Sequence, residues 1–172
     1  MKLILTSCLL VLVACSSKAP EPKAVIDPMQ KLSATSGLSL DQLKNGVGPI
    51  TSVILSEIDP KLVKTGEAAF NAKCVACHKL DGRYVGPALR YVVDRREPVY
   101  VMNMILNPTE MLAKHPLDKE MLKKYLTQMT FQNVTQEETR ALLEYFRQAA
   151  ADGKNAAIAD TETYPSLESL VK

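Results

Sequence analysis

The sequence predicts an all-α fold, on three observations. Apolar residues recur at steps of three and four through several segments, which is the spacing of one helical face. Asp-Pro, Asn-Pro and capping-box signatures punctuate those segments where helices would begin or end. No stretch of useful length alternates apolar and polar residues as a half-buried strand would. The chain has 172 residues, 47% hydrophobic and 23% charged, an ordinary balance for a globular protein with one core. Twenty-one Lys and Arg against nineteen Asp and Glu leave a net charge of +2, too balanced for a nucleic acid as the main partner. Aromatic residues are 5% and Trp is absent, which argues against a base-stacking platform.

Taken in order, the chain opens on an address. Met1-Lys2 is a short positive start, and Leu3 to Val13 is mostly apolar. Roughly eleven residues at ~1.5 Å each do not cross a ~30 Å hydrocarbon layer, so residues 1–14 read as an export signal. Leu12-Val13-Ala14-Cys15 resembles the lipobox of bacterial lipoproteins, which implies cleavage before Cys15 and lipidation of its thiol. Ser16 follows, and the Asp that resembles an inner-membrane retention signal is absent, slightly favouring the outer membrane. Acyl chains at ~0.8 kcal/mol per buried CH₂ would hold the protein firmly. Residues 15–36 are rich in Lys, Ala, Pro, Glu and Ser and read as a flexible tether.

Residues 37–58 read as an extension lying on the head. Ser39 to Leu43 would begin a short helix, Gly46, Gly48 and Pro49 would break it, and Thr51 to Ile58 is apolar enough to dock. Residues 59–150 form the head itself. Asp59-Pro60 would start a helix, with Val63, Gly66, Phe70 and Cys74 on one face. Residues 79–96 would be mostly loop. Glu97 to Leu106 would be an apolar helix stopped at Asn107-Pro108, and Leu117 to Leu126 another. Thr135 and Glu138 make a capping box that opens a last helix through Leu142, Leu143, Phe146 and Ala149. Residues 151–172 read as a polar tail.

The chain has four Cys and two His. Cys8 falls in the export signal and Cys15 in the lipobox, which leaves Cys74-Val75-Ala76-Cys77-His78. On a helical turn the two sulfurs fall on one side, spaced for the two vinyl groups of one haem, and His78 lies within reach of its iron. This is the attachment signal of c-type haem. Three other readings stand beside it. A thioredoxin-like redox pair would need a βαβ setting, zinc would need two further ligands with only His115 to spare, and a plain disulfide would make His78 accidental.

The residues around this motif resemble the class I (mono-haem) c-type cytochromes. Gly66, Phe70 and Cys74 follow the opening-helix pattern of that family, and Gly86-Pro87-Ala88-Leu89 is similar to its Gly-Pro-x-Leu loop. The likeness covers about residues 59–150 and implies a cytochrome c fold around one covalently bound haem c, here in a bacterial lipoprotein form. It implies that Cys74 and Cys77 bind the haem, that His78 ligates iron, and that the Pro87 carbonyl orients the His78 ring. Of seven Met, Met129 occupies the loop before the last helix and is the implied sixth ligand, with Met121, His115 or an open iron as the alternatives. Thr130 stands where the family commonly has Pro. Lys73, Lys79, Arg83, Arg90, Arg95 and Arg96 against Asp81 and Asp94 would make a positive rim, for partner docking or for neutralising haem carboxylates.

The resemblance implies an electron-transfer protein rather than an enzyme, with no catalytic residues. The expected donor is a quinol-oxidising complex and the expected acceptor a terminal oxidase or reductase, such as nitrous-oxide reductase. The expected place is the periplasmic side of a bacterial membrane, held by the lipid anchor. Two further readings are a haem subunit of a larger respiratory complex and a five-coordinate haem acting as gas sensor or peroxidase.

Overall fold

The computed structural model describes residues 27–171. The expected export signal with Cys8, the expected lipobox with Cys15 and the expected tether up to residue 26 lie outside the described residues. All regular structure among the described residues is helical: α1 Pro28–Ser36, α2 Leu40–Asn45, α3 Pro60–Lys73, α4 Val92–Arg95, α5 Pro98–Leu106, α6 Pro108–Lys114, α7 Pro116–Tyr125, α8 Gln136–Asn155 and α9 Leu167–Leu170.

The helix ends follow from local chemistry. Asp59 caps α3 by accepting from the Lys61 amide at 2.8 Å, and Pro60 pre-sets φ at the first helical position. Thr135 and Glu138 close the capping box of α8 with bonds of 3.1 and 2.9 Å. Ser39 and Gln42 do the same for α2.

The core sits where α3 crosses α8, the most extensive helix contact. Gly66 permits the crossing, since a Cβ there would lie 2.0 Å from the Ala141 carbonyl oxygen. Phe70 then meets Phe146 edge-on at 6.0 Å and Tyr145 at 5.5 Å. Leu142 and Leu143 are fully buried beside them. The same joint carries a buried carboxylate. Glu144 accepts from Arg140, from Arg147 at 2.7 Å and from the Asp59 amide at 3.0 Å. Burial alone would raise its pKa, but these bonds outweigh it and hold the carboxyl below its usual value.

A second cluster joins α2, α5 and α6 through Leu38, Leu43, Val47, Tyr100 and Met111. Residues 45–50 are fastened to α5 by one buried amide. Asn103 donates from Nδ2 to the carbonyls of Asn45 and Ile50, each at 3.0 Å, and accepts from the Ile50 amide at 2.9 Å. Asn107 adds a bond to the Val47 carbonyl at 3.2 Å.

Three expectations change. The stretch expected to be a flexible tether up to residue 36 is helical from Pro28, because Asp27-Pro28 starts α1 with the same capping bond that Asp59 makes. Met29 and Leu32 of that helix pack on the second cluster. Asn107-Pro108 is not only a stop: Asn107 ends α5 and is also the residue from which α6 starts, as His115 ends α6 and precedes α7, neither with a side-chain capping bond. The apolar run 51–58 docks only in part, since Ile54 is 92% exposed while Val53 and Ile58 are half-buried.

The tail also folds back. Arg96 donates to the Pro165 carbonyl at 2.8 Å, Tyr91 donates its hydroxyl to the Ile158 carbonyl, and Arg95 pairs with Asp160 at 2.7 Å. No helix among the described residues is long and apolar enough to cross a membrane.

Candidate functional site

Cys74 ends α3, and the chain continues it by one further turn. The Cys77 and His78 amides both donate to the Cys74 carbonyl, at 3.0 and 2.9 Å, which keeps both thiols and the imidazole on one compact turn. Both thiols are unbridged, and no cluster of three or more His, Cys, Asp or Glu able to hold a metal ion occurs among the described residues. Neither the disulfide reading nor the zinc reading finds support in this arrangement.

The loop after His78 closes on itself. The Gly86 amide donates to the Cys77 carbonyl at 2.8 Å, and the Leu89 and Arg90 amides return to Lys79 and Leu80, each at 3.0 Å. This closure puts the Pro87 carbonyl 2.9 Å from His78 Nδ1. A carbonyl only accepts, so Nδ1 carries the proton and Nε2 is left with its lone pair, the form that binds a metal. Burial lowers the His78 pKa, opposed by the Pro87 bond, so the ring favours its neutral form. Gly86 makes room for the ring: a Cβ there would lie 2.5 Å from His78 Cε1. Burial raises the pKa of the Cys74 thiol.

Cys74, Cys77, His78 and Met129 all line one cleft. Its walls are apolar, with Leu89, Val92, Val101, Ile105, Val134 and Phe146, and its polar groups include Arg96, Tyr100, Asp118 and Tyr164. The donor set fits a covalently attached haem: two thiols to join vinyl groups, an imidazole nitrogen and a thioether for iron, and cationic and phenolic groups for carboxylates. Met102 packs in the core cluster, and Met111 is fully buried in the second cluster, where its sulfur accepts from the Val47 amide at 3.0 Å. Met104 and Met121 line the cleft as well as Met129.

Met129 stands in the irregular segment between α7 and α8. Thr130, at the position where the class commonly has proline, is braced differently: Gln132 Nε2 donates to its carbonyl and its hydroxyl, each at 3.0 Å. Lys73 ties the far end of the segment to the attachment helix, donating to the Asn133 carbonyl at 3.0 Å and pairing with Glu138 at 2.7 Å. Sequence reasoning placed Lys73 in a solvent-facing rim and missed this link, since nothing local signals a bond across sixty residues.

The rest of the rim is also partly spent inside the fold. Arg90 pairs with Asp81 and donates to the Ala149 carbonyl at 3.0 Å. Arg95 pairs with Asp160 and donates to the Ala88 carbonyl at 2.7 Å, an oxygen that also accepts from the Tyr164 hydroxyl at 3.2 Å. Lys79 and Arg83 lie over the rings of Tyr84 and Tyr125 and are exposed.

An all-helical head with its thiols, imidazole and thioether converging on one apolar cleft defines a class I c-type cytochrome. The Cytochrome c family profile matches residues 63–150, just over half of the chain, and the chain belongs to that family. It is similar to the solved structure of cytochrome c from Rhodothermus marinus, at 47% identity and a TM-score of 0.63 over 65% of this chain and 97% of that one. An engineered form of that cytochrome is 46% identical, with a TM-score of 0.61 over 64% and 97%. Another structure of that engineered form, bound to a carbene intermediate, has a TM-score of 0.59. Comparison with curated protein sequences gave no match. The family binds haem covalently, so this chain carries haem c, and its role is electron transfer.

Proposed function

We propose that the protein is a membrane-tethered one-electron carrier. It would take electrons from a quinol-oxidising complex and pass them to a terminal oxidase or reductase, nitrous-oxide reductase being one such acceptor. The observation that carries the reading is the convergence of Cys74, Cys77, His78 and Met129 on one apolar cleft, with His78 Nδ1 already committed to Pro87. The haem supplies a reversible Fe(III)/Fe(II) couple. The chain's part is to bind it through Cys74 and Cys77, to offer the Nε2 lone pair of His78 and the sulfur of Met129, and to keep water from the iron. A soft thioether favours Fe(II) and so raises the potential. With His78 and Met129 both holding the iron, no open position would remain for a substrate, which fits a carrier better than a catalyst. The family works outside the cytoplasm, and the lipobox ending in Cys15 supports an anchor on the periplasmic side of a bacterial membrane, with Ser16 favouring the outer one.

A second reading rests on Thr130: without proline the ligand loop would release Met129, leaving a five-coordinate haem for gas binding or peroxidase chemistry. Optical redox titration of the holoprotein beside Met129→Ala separates the two. The carrier reading expects low-spin iron with a Met–Fe charge-transfer band, both lost in the variant together with a fall in potential. High-spin wild-type iron that binds CO rapidly, or a variant with unchanged spectrum and potential, refutes it. Co-purification at a fixed ratio with other respiratory subunits would instead mark a subunit of a larger complex.

A further inference from the structure

Against the haem cleft, α5, α7 and α2 enclose a polar cluster that the electron-carrier reading does not use. His115 is fully buried and its Nε2 lies 3.0 Å from the Leu43 carbonyl. That oxygen can only accept, so Nε2 carries a proton, and in the neutral ring Nδ1 is bare. Nδ1 faces Asp118 Oδ2 at 3.5 Å. Asp118 is buried too, and its other oxygen accepts from the Tyr100 hydroxyl at 2.5 Å. His115 Nδ1 and Asp118 Oδ2 are both buried and have no other hydrogen-bond partner. Two bare acceptors turned toward each other away from water are costly, and one proton on either of them relieves the conflict.

Asp118 and Tyr100 also line the haem cleft, so a charge on this cluster acts on the iron through a poorly screened medium. We propose that Asp118 and His115 share one exchangeable proton whose occupancy follows the oxidation state of the haem. The inference rests on the electron-carrier reading. When one electron arrives from the donor and iron goes from Fe(III) to Fe(II), one proton from bulk water joins the pair. Both leave on reoxidation, so neither charge nor atoms are left over.

The surrounding charges set the balance. Burial pushes the Asp118 pKa up to about 6, while the Tyr100 bond and Arg96 pull it down. Burial lowers that of His115, opposed by the Leu43 bond, and Arg96 lowers it further. Facing each other across 3.5 Å, the two titrate as a coupled pair. Arg96 lies over the Tyr100 ring at 5.4 Å and over the tail's Tyr164 at 5.3 Å. Arg95 beyond them is paired with Asp160, and Lys44 on α2 is paired with Glu97 at the surface. From α2 the Leu43 carbonyl bonds the imidazole, and the Gln42 backbone acts on it in the same direction. On α6, Lys114 pairs with Glu110 in solvent. Lys73, paired with Glu138, also lines the cleft, and the haem carboxylates would add to the charges there.

The test is a spectroelectrochemical titration of the full-length holoprotein from about pH 4.5 to about pH 8.5. The midpoint potential should fall with rising pH between two inflections, and Asp118→Asn should flatten that slope. In parallel, the ¹⁵N resonances of His115 should titrate at higher pH in the reduced wild type than in the oxidised. Should Asp118→Asn fail to hold haem, Tyr100→Phe removes a bond that favours the carboxylate and should move the inflections to higher pH. A flat wild-type profile overturns the proposal, as does a slope that survives Asp118→Asn and His115→Gln, which assigns the proton to the haem carboxylates. Failure of the carrier reading would show separately, as high-spin iron in the wild type.

Discussion

The crossing of α3 and α8 and the attachment of residues 45–50 to α5 join helix to neighbour by different means. The crossing is built mainly on an apolar contact between aromatic and aliphatic side chains over a glycine. The attachment is made by side-chain amides that grip the backbone of an irregular segment. Close packing tolerates little added volume, whereas a buried amide tolerates no loss of partners. The first joint should therefore fail on gaining an atom, and the second on losing a functional group.

The largest effect is expected at the crossing. Gly66→Ala puts a methyl group against a carbonyl oxygen that belongs to backbone and has nowhere to move, and should cost about 3 kcal/mol or more in denaturant titration of the holoprotein. A cost below about 1 kcal/mol would mean that the crossing has slack. At the strap, Asn103→Ala strips the Asn45 carbonyl and both polar groups of Ile50 of their partner and should cost about 2 kcal/mol. Hydrogen exchange should quicken at residues 45–50 while the α3 amides stay protected. Equal loss of protection in both regions would dissolve the distinction drawn between them.

The smallest effect falls where the two designs meet, at Glu144. Its folded pKa lies below the unfolded value, so its contribution is present above about pH 4.3 and is lost as pH falls through the folded value. Glu144→Gln should cost about 1 kcal/mol near neutral pH, and the gap to the wild type should close in acid. A gap that is constant with pH would show that the carboxylate charge contributes nothing.

The same contrast explains what was legible in the sequence. The parts of the head coded by neighbours a few residues apart could be read: the Asp59-Pro60 start, the box at Thr135 and Glu138, the Gly66–Phe70–Cys74 face, the motif at Cys74 to His78. Asp27-Pro28 carries the same start signal as Asp59-Pro60, yet the proline-rich composition around it hid a short helix. Asn107 and His115 were harder, because one residue serves two helices and a stop signal looks complete by itself. The Asn103 clamp and the Lys73 link join residues far apart in sequence, so no spacing announces them; His115 and Asp118 are only three apart, but nothing local shows that both are buried.

The Ala88 carbonyl is held by Arg95 and by Tyr164 of the tail, and the carbonyl one residue before it holds His78. The tail, the loop and the imidazole are thus coupled in series, like springs sharing a node. Tension applied at the C-terminus is delivered one peptide unit from the carbonyl that holds the ring, so the stiffness of His78 is set partly by residues that never approach it in sequence.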